Sequence, residues 1–227
     1  MFEAEIELEK KESSIIPLLL VLVLAGLILG GIGGVVYMVV QTKRGVPEQE
    51  AATLIAKALK EEGPAKTHFH TGLVKQSVNE KPLDPHYKLW EKLGIIDYKL
   101  QKDKFSAKVE LTAAGDKKLA AIDYVQKSKE DKDGTMLYVI PLAERKLVSI
   151  TQIKMDGPNR AVVEYTWKWD PNEFGQAFDA SGPMVKGFGT YERMALIDKY
   201  GAAFYGADPV KTTALLVKKD KGWEVAQ

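Results

Sequence analysis

Positions 15–40 form a run of 26 residues without a charged side chain, the strongest hydrophobic pattern in the chain. As an α-helix such a run rises about 39 Å, against roughly 30 Å of bilayer hydrocarbon, so it is long enough to cross a membrane with some tilt. A transmembrane helix is expected over 15–41, after a short polar head at 1–14. A cleaved signal peptide would need a basic start and a shorter apolar run. The start here, MFEAEIELEKKESS, is mostly acidic. Gly26, Gly30 and Gly34 recur at every fourth position of the run and share one face of the helix. Small residues in that register let a second helix approach closely. These three are therefore the candidate helix-packing residues, set against a copy of the chain or a helix of a larger complex. Lys10, Lys11 and the terminal amine precede the run, and Lys43 and Arg44 follow it. That narrow balance, with the short head, favours a cytoplasmic N-terminus and an extracytoplasmic body.

Beyond the span the pattern becomes that of a water-soluble α+β body. Pro47 followed by EQEAATLIAKALKEEG reads as a helix, with Ala51, Leu54, Ile55, Ala58 and Leu59 at helical spacing and Gly63 as its stop. The polar stretch from there to Pro85 carries no clear periodicity. HYKLWEKLG reads as a short helix ended by Gly94. IIDYKL and SAKVELT read as strands about the turn QKDKF, and Thr112 is a natural cap for the helix that follows. The charged stretch SKEDKDG suggests a linker at 128–134, dividing a module at 46–127 from a second at 135–227. In the second, TMLYVIPL, LVSITQIKM and RAVVEYTWKWD read as strands. The last of these alternates Ala161, Val163, Tyr165, Trp167 and Trp169 with more polar neighbours, as expected of an antiparallel sheet covered on one side. Leu196, Tyr200 and Phe204 mark an amphipathic helix, and TTALLVKKDKGWEVAQ closes as a hairpin turning at Asp220, Lys221 and Gly222. A sheet of four or five strands packed with one helix is expected for this half.

Composition narrows the functional classes. The formal net charge is +1, so no overall field draws the chain to nucleic acid. Arginine, the preferred bidentate grip on phosphate and guanine, occurs only at positions 44, 145, 160 and 193. There is no cysteine, which excludes disulfides, thiolate metal sites and cysteine nucleophiles. No phosphate loop, nucleophile elbow, HExxH or calcium loop is present, and KGFGTY lacks the third glycine of a phosphate-binding pattern. The expectation is a non-enzymatic protein with no cofactor. His68 and His70 would project from one face of a strand with His86 nearby in sequence, so these three are weak candidates for a metal site, and none is assigned. Asp170 and Glu173 are adjacent carboxylates that a polar loop explains equally well.

WEKLGIIDYKL followed by VELTAAGDKKL resembles the end of a winged-helix domain, within roughly residues 46–127 and without singling out one family. The resemblance implies a helix ahead of a β-wing. In DNA-binding members that helix would present Asp84, His86, Tyr87, Lys88, Glu91 and Lys92 to the major groove, and the wing would bring Lys102 and Lys104 to phosphate. Residues 46–127 hold 14 lysines against 12 acids, a weak surface for phosphate neutralisation. The favoured expectation is a membrane-anchored accessory or scaffold subunit of a membrane protein complex, working by protein–protein contacts. The alternatives are a membrane-tethered winged-helix regulator and a module binding a ligand on the aromatic face of Tyr165, Trp167, Trp169, Phe188, Tyr191 and Trp223.

Overall fold

The structure, a computed structural model, describes residues 45–77, 80–103, 105–129 and 134–226. The apolar run at 15–41, with Gly26, Gly30 and Gly34, lies outside the described residues. Among the described residues no helix is long and apolar enough to cross a membrane.

Helix α1 (Glu48–Glu61) forms where the sequence places it: Glu48 and Glu50 occupy its first turn, and Ala51, Ile55 and Leu59 form its buried stripe. Gly63 ends it at φ +77°, a conformation that glycine adopts without Cβ strain. Strand β1 (Ala65–Lys75) follows, then α2 (Pro85–Lys92), the hairpin β2 (Ile96–Leu100) and β3 (Ser106–Leu111), α3 (Ala113–Ala120) and the short β4 (Gln126–Lys129). Strand β5 (Met136–Met155) is the longest element among the described residues. It is followed by β6 (Arg160–Pro171), the short helices α4 (Glu173–Ala177) and α5 (Pro183–Lys186), helix α6 (Thr190–Lys199), and the hairpin β7 (Val210–Lys219) and β8 (Gly222–Val225).

Among the described residues the eight strands join one antiparallel sheet in the order β2-β3-β1-β5-β6-β7-β8, with β4 paired to the start of β5. This corrects the division into modules at 46–127 and 135–227. Strand β1, from the first stretch, pairs through Ala65–Thr71 with β5 of the second and through Gly72–Lys75 with β3. The residues from 48 onward form one compact unit. Of the charged stretch at 128–134, Ser128 and Lys129 lie in β4, opposite Leu137 and Met136 of β5.

The main core gathers Phe69, Tyr87, Trp90, Ile95, Ile140 and Phe178 with their neighbours from both stretches. Phe69 stacks on Tyr138 at 5.2 Å between centroids, and Trp90 packs against both Phe174 and Phe178 at 5.1 Å. Further along the sheet, α1 packs on β5 and β8, where Ala161, Val163, Leu216 and Trp223 are buried. The alternation expected in β6 holds for Ala161, Val163 and Tyr165, while Trp167 and Trp169 are half-buried. Helix α6 buries Leu196, and Tyr200 just beyond it is also buried. The stripe does not reach Phe204, which is exposed, because Gly201 at φ +74° turns the chain against the Lys66 carbonyl.

The LTAAG phrase has a local explanation. Thr112 caps α3 by accepting from Gly115 N at 2.8 Å, and its own hydroxyl donates to the Gly94 carbonyl at 2.6 Å. The first turn of α3 is thereby drawn against the backbone just ahead of β2, and a Cβ on Gly115 would meet the Ile95 carbonyl oxygen at 2.1 Å. Gly115→Ala is expected to lower the stability of the folded unit by about 3 kcal/mol, since backbone must move to admit the methyl group. Gly187→Ala, whose Cβ would lie 3.4 Å from its nearest neighbour, should stay within about 0.5 kcal/mol. Urea unfolding midpoints of the two variants test this contrast.

Candidate functional site

The polar stretch after β1 is built around an inward-turned acid. Ser77 N and Oγ both donate to the Glu80 carbonyl, at 2.8 and 3.1 Å, and Glu80 N donates back to Ser77 Oγ at 3.0 Å. The Glu80 side chain turns inward, and the residue is 5% exposed. There its Oε1 accepts from the Tyr87 hydroxyl at 2.6 Å and from His86 Nε2 at 2.9 Å, and its Oε2 faces His70 Nδ1.

Each partner comes from a different constraint. His70 lies on β1, whose amide also faces the Tyr87 hydroxyl at 3.4 Å. His86 and Tyr87 are the second and third residues of α2, which Pro85 starts. Asp84, at the N-cap of α2, makes no cap with its side chain. Its carboxylate instead accepts from Lys81 N at 2.7 Å and from the Tyr200 hydroxyl. Tyr200 in turn stacks on His86, with 3.7 Å between centroids and 13° between planes. The surface pair Lys88–Glu192 at 2.8 Å adds a contact between α2 and α6.

The electrostatics follow from this packing. Burial alone would raise the Glu80 carboxyl, but hydrogen bonds from His70, His86 and Tyr87 outweigh it and hold the group well below the usual carboxylate range. Burial pushes His86 down from its ordinary value, more than the neighbouring Glu80 pulls it up. A neutral His86 that donates from Nε2 leaves Nδ1 as the unprotonated nitrogen. That buried Nδ1 has no hydrogen-bond partner among the described residues. Burial and the Glu80 charge push the Tyr87 phenol far up, and burial and Asp84 do the same to Tyr200.

The structure thus brings His68, His70 and His86 together. His68 and His86 are 6.2 Å apart between centroids, and His70 and His86 share the Glu80 carboxylate. Among the described residues no group of three or more histidines and acids is disposed to hold a metal ion. The imidazoles of His70 and His86 turn toward the Glu80 carboxylate and are engaged by it. Glu80, the centre of the network, is the residue that sequence reasoning missed. Asp170 and Glu173 lie apart from it, each at the surface near a lysine: Asp170 at 2.5 Å from Lys146, and Glu173 at 3.8 Å from Lys118.

Two other expected surfaces change character. In α2, His86 and Tyr87 are fully buried, leaving Lys88, Glu91 and Lys92 exposed, so the helix cannot present the residues that the winged-helix resemblance assigned to a DNA groove. Lys102 is exposed in the turn between β2 and β3, and Lys104 lies outside the described residues. Of the aromatic set, Tyr165, Phe188 and Trp223 are buried. Arg145 lies over Trp167 and Trp169, at 5.4 and 4.7 Å from their centroids, and pairs with Glu62 at 2.8 Å. No protein-family model, no curated protein and no solved structure matches the chain.

The network makes folding sensitive to acid in two adjoining windows. An unfolded chain protonates His86 as the pH falls through 6.5, its ordinary value, whereas the buried imidazole resists, so stability declines from there downward. Glu80 contributes stability that is complete above its ordinary value of 4.5 and is lost as the pH falls below it, toward the depressed folded value. Glu80→Gln should cost about 3 kcal/mol at neutral pH and flatten the second decline while leaving the first. Urea midpoints of both proteins across pH 7.5 to 3.5 test it; parallel profiles would remove Glu80 from this role.

Proposed function

We propose that the chain is a membrane-anchored accessory or scaffold subunit that works through protein–protein contacts, with the face of α6 as a contact surface on its folded body. The observation that carries this reading is the outer side of that helix. Tyr191, Met194 and Ile197 recur at every third position, so they share one side, and they are 88, 54 and 41% exposed. Leu196 and Tyr200 hold the other side against the body. Aromatic and methionine side chains are enriched in protein interfaces, and exposed apolar residues grouped on one element are what a contact surface requires. The anchor rests on the uncharged run at 15–40, and the glycine register within it supplies a second contact inside the membrane. The regulator alternative gains nothing from α2, whose His86 and Tyr87 are core residues.

Full-length protein extracted in mild detergent is expected to elute with a second protein at a fixed ratio. The double substitution Met194→Glu and Ile197→Glu should weaken that association by at least about tenfold without moving the unfolding midpoint, and Gly30→Leu should weaken it independently. A monodisperse monomer with no partner, indifferent to either change, would sink the reading. Orientation is tested through the cysteine-free background: Lys221, exposed in the β7–β8 turn, is replaced by cysteine. A membrane-impermeant thiol reagent should label Lys221→Cys in intact cells; labelling only after lysis would place the body in the cytoplasm.

A further inference from the structure

The face of β1 that carries His68 and His70 floors an open groove of about 650 Å³. Strand register sets Val139 directly opposite His68 and Leu137 opposite His70, so imidazole and aliphatic side chains lie side by side on the floor. The groove exists because β1 changes partner. At Gly72, with φ +94°, it leaves β5 for β3, and the strands part there. Leu73, Ser77 and Glu80 form further walls. Small-molecule sites of proteins occupy roughly 300–1,000 Å³, and this groove falls in that range, with Leu73, Val74, Leu137 and Val139 as the apolar part of a mainly polar lining.

Its charges select the ligand. Lys66, Lys75, His68 and His70 line it, and Glu80 is the only acid among the described lining residues. Both oxygens of Glu80 are already engaged by Tyr87, His86 and His70, so its charge is met inside the protein. Lys66 is exposed and has no ion pair among the described residues. A cationic ligand would meet Lys66 and, among the described lining residues, no available carboxylate. A neutral polyol would waste the aliphatic floor. We infer that this groove binds a small organic acid, its carboxylate toward Lys66 and His68 and a short apolar body over Leu137 and Val139. This site is separate from the α6 contact surface and does not depend on it.

The chain has three histidines, and all three lie at or beneath the groove, so imidazole NMR signals of the full-length protein report on it directly. With 3-phenylpropanoate as probe, the His68 signal should shift saturably with a midpoint below about 1 mM. The same titration with 3-phenylpropylamine should leave it unmoved. Lys66→Met, at an exposed position, should raise the midpoint at least about fivefold, as the lost charge pairing predicts. Val139→Glu, which adds a carboxylate to the floor, should abolish the shift with the unfolding midpoint retained. Absence of a saturable shift up to about 10 mM acid, or equal shifts from the amine, would overturn the site. Inorganic phosphate matching the phenylpropanoate would overturn the organic-acid assignment, because the apolar floor would then contribute nothing.

Discussion

The carboxylate of Glu80 is an anion taken out of water, and its neighbours are arranged around the need to satisfy it. An ionised carboxylate buried without partners costs several kcal/mol, so its site persists only where donors converge on it. Here the donors come from a strand residue, His70, and two helix residues, His86 and Tyr87. Satisfying one charge therefore fixes the turn after β1, the start of α2 and the edge of the sheet relative to one another. The constraint extends a step further, because Tyr200 stacks on His86 and donates to Asp84, bringing the end of α6 into the same cluster. Removing one member leaves the others buried and short of partners, which is why such a network acts as a unit.

Strand β1 is the mechanical counterpart of that network. It pairs with β5 along its first part and with β3 along its last, so it joins the two ends of a long sheet. One of its faces buries Thr67 and Phe69, and the other carries His68 and His70 to the groove. The same strand that closes the core with one set of side chains thus sets the polar floor with the other. The parting of the strands at Gly72 creates the groove from backbone geometry, without an insertion or a separate domain.

Much of the secondary structure was legible because its periodicity was strong. Helix α1 shows Ala51, Ile55 and Leu59 four apart, β6 alternates cleanly through Tyr165, and the Asp220–Gly222 turn between β7 and β8 has the chemistry of a tight hairpin. Strand β1 was not legible. Its groove face carries histidines in place of the polar or apolar residues that would mark an alternation, and Gly72 interrupts it. The division into two modules failed for a related reason: the pairing of β1 with β5 joins residues about 70 positions apart, and no local pattern records a long-range ladder. Glu80 was hidden in the same way, since its meaning comes from His70, His86 and Tyr87 and its own neighbours in sequence are polar and unpatterned.

The histidines show how far local reasoning reaches. Spacing alone placed His68 and His70 on one strand face, and proximity in sequence made His86 a plausible third member of a cluster; the three do converge. What spacing could not reveal is the group at the centre. Histidines gathered around an open position favour a metal, because neutral imidazole nitrogens then point their lone pairs inward. Histidines gathered around a carboxylate must donate to it, which turns an N–H inward and ties the proton to the acid. His86 is in that second state, with its donating nitrogen on Glu80 and its ring sealed beneath Tyr200. The cluster is thereby committed to holding a charge in place, and the ligand chemistry open to this face passes to His68, Lys66 and the aliphatic residues beside them.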